Sequence, residues 1–238
     1  MGCPPQVARA GVPFVIDDPD TPDARHWEIN VAAQGTRNRD GWTGNMPMVE
    51  ANYGVTEHLQ FTLLTPLAFN RAVGASSSFG LGDMQAGFKY RVVDADDWGW
   101  RPAVAVAPSI TAPTGNASLG LGGGKAQAFL PVWLSKEFNQ WTVFGGGGYT
   151  INPGVDRKNW WLGGVGVTRE INPTWTVGAE IFYSTPTQYG QFSSVGFNVG
   201  VIYNISDTHH ILVSVGRNIT HANDNNAFSS FIGYQLTF

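Results

Sequence analysis

An all-β fold, a twelve-stranded antiparallel up-and-down transmembrane β-barrel, is predicted from three features of this sequence. Apolar and polar residues alternate with a period of two from residue 25 to the end, the connections alternate between short and long, and the composition does not suit a soluble domain. Charged residues make up 13% of the 238 residues, about half the ~25% of an ordinary globular domain. The chain holds 30 glycines and 9 tryptophans, yet its mean hydropathy is only -0.11. No apolar run approaches the ~18 residues of a membrane helix. The longest, Phe129 to Leu134, contains Pro131. A barrel strand needs only about 9–11 alternating residues, so a membrane barrel stays open where a helical membrane protein does not.

Residues 1–23 are rich in Pro and Asp and read as an extended segment, a candidate plug, ahead of a barrel formed by 24–238. Met1 to Gly11 lacks the basic and apolar regions of a secretory leader, so a leader is expected upstream or already removed. Twelve strands follow, near 25–36, 46–55, 59–69, 81–93, 99–112, 125–137, 141–151, 158–169, 174–185, 191–203, 209–219 and 227–238. In the first, Trp27, Ile29, Val31 and Ala33 oppose His26, Glu28, Asn30 and Gln34. In the tenth, Val195, Phe197, Val199 and Val201 oppose Ser194, Gly196, Asn198 and Gly200.

Short turns fall at 56–58, 139–140, 172–173 and 205–208, with the longer 94–98 turn as a member of the same set. Longer Gly/Asn/Ser-rich loops fall at 37–45, 70–80, 113–124, 152–157, 186–190 and 220–226. This asymmetry is that of an outer-membrane barrel, whose short turns face the periplasm. A soluble barrel would turn its bulky face inward. Here the small polar residues are expected inside and Val, Ile, Leu, Phe and Trp outside, against outer-membrane lipid. Trp27, Tyr53, Trp100, Trp141, Trp175, Tyr203 and Phe238 would form the periplasmic aromatic girdle, with Tyr149, Trp161, Tyr183 and Phe228 toward the other.

The last strand alternates and ends on an aromatic residue, with Tyr234, Leu236 and Phe238 on one face. It is similar to the C-terminal signal read by the barrel assembly machinery, and strand addition to an exposed edge is the physical basis of such recognition. Further residues extend the resemblance: Phe14 to Asp18 with His26-Trp27-Glu28, Gly80-Leu81-Gly82-Asp83 with Gly87-Phe88-Lys89-Tyr90-Arg91, Pro113-Thr114-Gly115, Ala128 to Leu134, and Gly145 to Tyr149. Through them the chain, from Pro13 onward, resembles bacterial outer-membrane transporters related to the family named for the MetA pathway of phenol degradation. That resemblance implies uptake of aromatic or otherwise hydrophobic compounds in a Gram-negative outer membrane.

The alternation places Glu28, Glu50, Asp83, Lys89, Arg91, Lys125 and Glu180 on the lumen side. They are expected to form either a polar constriction or a salt-bridge network bracing the wall. Phe129, Trp133, Phe144 and Phe182 share that face and would narrow the lumen toward a small or amphipathic solute. If the N-terminal segment enters the lumen, Asp17 and Asp18 would meet a lysine or arginine there. The function expected is passage of a small-molecule solute, hydrophobic or aromatic; a sealed structural barrel and an outer-membrane hydrolase are the alternatives.

No enzyme, cofactor or metal site is expected. His26, His58, His209 and His210 fall at the short-turn end, and His221 with Asp224 is the only plausible acid–base pair. Gly120 to Lys125 mimics a phosphate loop but continues with Ala126 where Ser or Thr is needed. Gly145 to Gly148 would allow close packing of another element against the wall. A net charge of -4 gives no basic footprint, so no nucleic acid is expected.

Overall fold

The computed structural model describes residues 13–96 and 99–238, so the first half of the 1–23 segment and Asp97-Trp98 of the 94–98 turn lie outside the described residues. The strands are β1 (Trp27–Asn38), β2 (Gly41–Thr56), β3 (Leu59–Ala72), β4 (Ser78–Leu81), β5 (Met84–Val93), β6 (Ala103–Val106), β7 (Ser109–Ala112), β8 (Gln127–Phe138), β9 (Trp141–Ile151), β10 (Trp160–Asn172), β11 (Trp175–Ser184), β12 (Ser194–Asn204), β13 (His209–Asn218) and β14 (Phe228–Thr237). Every pairing is antiparallel, and β1 pairs with β14 from Glu28↔Thr237 to Arg37↔Phe228, which closes the barrel.

These strands make twelve staves, because two staves are interrupted. β4 and β5 both pair with β3, and β6 and β7 both lie between β5 and β8. Proline explains the second break, since Pro108 has no N–H for the ladder. The carbonyls of Pro66, Pro108 and Pro131 accept from Gly82, Phe88 and Ala107 on neighbouring staves, so the ladder resumes around each interruption.

The expected strands coincide with these staves, with one correction. The 37–45 stretch is not a long loop: β1 and β2 extend through it and turn at Arg39-Asp40. Asn38 Oδ1 accepts from the backbone N–H of Asp40 (2.9 Å) and Gly41 (3.1 Å), and Gly41 takes φ +139°. That Asx-type turn is compact, and glycine alone adopts the backbone it needs. The stretch resembles a loop because Met46-Pro47 interrupts the pairing between Asn45 and Met48.

The two faces have opposite chemistry. Asn30, Asn52, Gln60, Thr168, Asn198, Ser214 and Gln235 are buried on the inner face, whereas Phe61, Leu63, Ile110, Leu130, Val165 and Ile232 are exposed on the outer one. A wall that buries amides and exposes aliphatic side chains suits lipid outside. Aromatic pairs mark the strand ends: Trp27–Tyr53 (4.7 Å between rings) and Trp175–Tyr203 (4.6 Å) at the short-turn end, Tyr149–Trp161 (4.8 Å) toward the other.

Residues 13–23 lie inside this barrel. The chain leaves β1 at the short-turn end, where Arg25 N–H donates to Gly54 O and Thr21 Oγ1 to Glu57 O. It then rises along the lumen until Pro13 O accepts from Ser214 Oγ (2.7 Å) on β13. Ile16, with no exposed surface, forms the molecule's buried apolar cluster with Trp133 and Phe144.

Candidate functional site in the barrel lumen

Three kinds of contact hold the N-terminal segment to the wall. Glu180, buried on β11, accepts the backbone N–H groups of Val15 and Ile16, both at 2.8 Å, and an amide N–H of Asn198. Extended backbone crossing a lumen has no ladder partner, so a carboxylate that accepts two successive N–H groups satisfies donors otherwise left buried. Lys89 on β5 sits 3.0 Å from Asp17 Oδ2 and 3.9 Å from Asp18 Oδ1, and its ammonium also donates to Asp20 O. Arg91 lies 3.7 Å from Asp20 and 3.0 Å from Asp94. The acidic segment thus meets two inward cations through alternating positions of one strand.

Aromatic rings supply the third contact. Phe14 packs on Phe144 with ring centres 5.6 Å apart, Phe129 lies 6.2 Å from Trp133, and Phe182 joins the same cluster. The four aromatic residues expected to narrow the lumen are therefore together, but they close around the chain's own Phe14 and Ile16. Glycines on neighbouring strands lie beneath these rings, Gly166 paired with Phe144 and Gly196 with Phe182. A Cβ on Gly166 would stand 2.2 Å from the Phe144 ring, one on Gly178 2.8 Å from Phe14, and one on Gly196 2.5 Å from Phe182. Within the 145–148 run, a Cβ on Gly148 would stand 2.7 Å from Phe129. Glycine here supplies the depth into which rings fit.

Glu28 stands opposite Asn52 and Glu50 opposite Asn30 across β1 and β2, so the two carboxylates share one network. Asn30 and Asn52 each donate from Nδ2 to both carboxylates, at 3.0 to 3.3 Å. Asp83 lies apart at the β4–β5 interruption, where it accepts from Gly115 N–H (2.9 Å) and Gly123 N–H and so pins the 113–124 loop. Lys125 is a correction: its strand begins two residues later, at Gln127, and its side chain is exposed in that glycine-rich loop. Tyr234, Leu236 and Phe238 lie at the closing seam, Tyr234 and Phe238 with exposed rings.

Sequence reasoning did not assign Phe14, Gln60, Phe231 or Met48 to the lumen. For Phe231 and Gln60 strand parity carries the signal; Phe14 lies outside any strand, and only the plug reading of 1–23 points to it. The histidines stay dispersed. His58 Nε2 bonds to Asp94 (3.0 Å) at a short turn, and His210 Nδ1 to Asn204 Oδ1 (2.8 Å). His221 and Asp224 have different partners: Nδ1 of the histidine faces Ser193 O, whereas the carboxylate pairs with Arg39 at 2.9 Å. Among the described residues no group of three His, Cys, Asp or Glu is placed to hold a metal ion.

The segment divides the lumen into two cavities. One of about 950 Å³ lies toward the short-turn end, lined by Asp17, Glu28, Glu57, Lys89, Trp133 and Asp207 among others. The other, about 560 Å³, lies toward the long-loop end, with Phe14 and Val15 in its floor.

The family described as the MetA-pathway of phenol degradation matches residues 18–236. The chain belongs to this family. No curated protein matches it. Among solved structures it is similar to the NanC porin (TM-score 0.61, 10% identity, 88% of this chain and 98% of that one). It is also similar to the KdgM porin (0.57, 11%, 89% and 99%) and to outer membrane phospholipase A from Escherichia coli (0.51, 10%, 96% and 94%). At these identities the likeness shows the shared fold, a closed twelve-stranded barrel of the outer-membrane type. That a porin and a phospholipase share it also shows that the fold alone does not fix the activity.

Proposed function

We propose that this family member is an outer-membrane channel for small hydrophobic or aromatic solutes, in which the N-terminal segment sets the bore. The observation that carries this reading is the lumen itself: a polar, closed wall crossed by residues 13–23, with a cavity on either side of the crossing. Likeness to two porins supports passage of small solutes. The aromatic collar of Phe14, Phe129, Trp133, Phe144 and Phe182 supports an apolar or ring-bearing solute over a strongly hydrated one. Twelve strands also enclose less space than the sixteen to eighteen of open porins.

In this reading the short turns face the periplasm, and Tyr234, Leu236 and Phe238 present the terminal strand to the assembly machinery. Conductance in planar bilayers tests the role of the segment. Deleting residues 1–23 should widen the bore and raise conductance; unchanged conductance would remove the segment from the mechanism. Liposomes loaded with small solutes test passage, and a barrel that leaks none of them is the sealed structural one. The phospholipase likeness gains no support from His221 and Asp224, which are held by Ser193 and Arg39.

A further inference from the structure

The cavity toward the long-loop end differs chemically from the one below the segment. Its wall carries neutral hydrogen-bonding side chains: Asn38 from β1, Asn198 from β12, Asn218 from β13, Asn226 from the last loop and Ser229 from β14. Phe182, Phe192 and Phe231 supply aromatic surface on the same wall, and among the described residues no lysine or arginine lines it. The charged lining groups are two carboxylates, Glu50 and Asp224. Asn226 Nδ2 donates to Ser229 Oγ (3.0 Å), which fixes the amide on this wall.

We propose that this cavity binds a neutral amphipathic solute that joins an aromatic ring to a polyhydroxylated one, the chemistry of an aryl glycoside. The phenylalanines receive the aromatic ring. The asparagines and serines, Asn226 among them, pair with hydroxyl groups. A cavity of about 560 Å³ is of the size that encloses such a molecule. An anionic analogue is rejected, because Glu50 lines the cavity with no cation on that wall to compensate it, while Asp224 is already paired with Arg39. The proposal refines the solute class of the channel reading and rests on it, but binding is measured without flux, so the two can fail separately.

The test is calorimetric titration of the full chain, solubilised in an amine-oxide detergent, with three probes. Phenyl β-glucoside should bind saturably. Phenyl β-glucuronide, which adds a carboxylate, and methyl β-glucoside, which lacks the aromatic ring, should bind at least about tenfold more weakly, as expected when one matched group is lost or a charge is buried unpaired. Asn226→Ala and Phe231→Leu should each weaken phenyl β-glucoside roughly fivefold or more, with unchanged heat-modifiable migration showing an intact barrel. The Leu substitution keeps apolar volume while removing the ring. No saturable binding of phenyl β-glucoside, equal binding of the glucuronide, or undiminished binding by Asn226→Ala would each overturn the proposal.

Discussion

Replacing Glu180 with alanine should loosen the N-terminal segment from the lumen without opening the barrel. The carboxylate accepts two backbone N–H groups, from Val15 and Ile16, at 2.8 Å each. A hydrogen bond to a charged group contributes about 1.5–3 kcal/mol, so losing the pair costs roughly 3–6 kcal/mol of docking free energy. At about 1.4 kcal/mol per factor of ten, the displaced population rises on the order of 10²- to 10⁴-fold. The Lys89 contacts and the burial of Ile16 remain, so the segment samples release and is not expelled.

Maleimide labelling of an Ile16→Cys variant, in a Cys3→Ser background, reads this population directly, because position 16 has no exposed surface while docked. Adding Glu180→Ala should raise the labelling rate by about a hundredfold or more. Glu180→Gln, which keeps one accepting oxygen, should fall between. Labelling rates that agree with and without Glu180 would refute the idea that this carboxylate docks the segment.

Three other perturbations follow from the geometry. Gly166→Ala places a methyl 2.2 Å from the buried Phe144 ring, an overpacking that should cost about 1–3 kcal/mol and lower the temperature at which the folded band is lost on gels; an unchanged temperature would mean the collar can move. Asp83→Ala removes the acceptor for Gly115 and Gly123, and protease cutting within 113–124 should become faster while cutting elsewhere does not. The hydrogen bond from His58 holds the Asp94 carboxyl below the usual carboxylate range, with Arg91 and Arg101 adding to it. A lowered folded value means stabilisation that is complete above the unfolded value and lost as pH falls through the folded one. The pair is exposed, so the effect stays within about 1 kcal/mol. Melting of wild type and Asp94→Asn should therefore differ slightly at neutral pH and converge in strong acid; a gap that persists there would contradict the assignment.

Most of the wall is legible in the sequence because lipid outside and amide groups inside impose period two on each strand. Strand 194–204 shows it plainly: Ser194, Gly196 and Asn198 are buried while Phe197 and Val199 are exposed. Legibility fails where that contrast disappears. At 37–45 polar residues occupy both faces and an irregularity at Met46-Pro47 interrupts the pairing, so a strand reads as a loop. Lys125 fits the parity of the strand that follows, but the ladder starts two residues later and frees it. The Asp17–Lys89 contact was legible as charge complementarity. The docking of Val15 and Ile16 on Glu180 was not, because it is made by backbone N–H groups that any residue carries.

The inner glycines answer to two neighbours at once, the wall around them and the segment that crosses it. The wall itself crowds each of these positions: a Cβ would stand 2.5 Å from Ile181 O at Gly164, 2.2 Å from the Phe144 ring at Gly166 and 2.7 Å from Thr168 Cγ2 at Gly178. At two of them the segment adds its own limit: a Cβ would stand 2.9 Å from Ile16 at Gly164 and 2.8 Å from the Phe14 ring at Gly178. The wall is therefore shaped to its own N-terminal residues and the rings around them. Its bore depends on two parts of the chain far apart in sequence, and enlarging a wall glycine should disturb the docked segment as much as shortening a ring would. Gly178→Ala, whose added methyl would stand 2.8 Å from the Phe14 ring and 2.7 Å from Thr168 Cγ2, should thus raise labelling at position 16, as loss of Glu180 does. If it lowers barrel stability but leaves that labelling unchanged, the wall and the segment are not coupled through this contact.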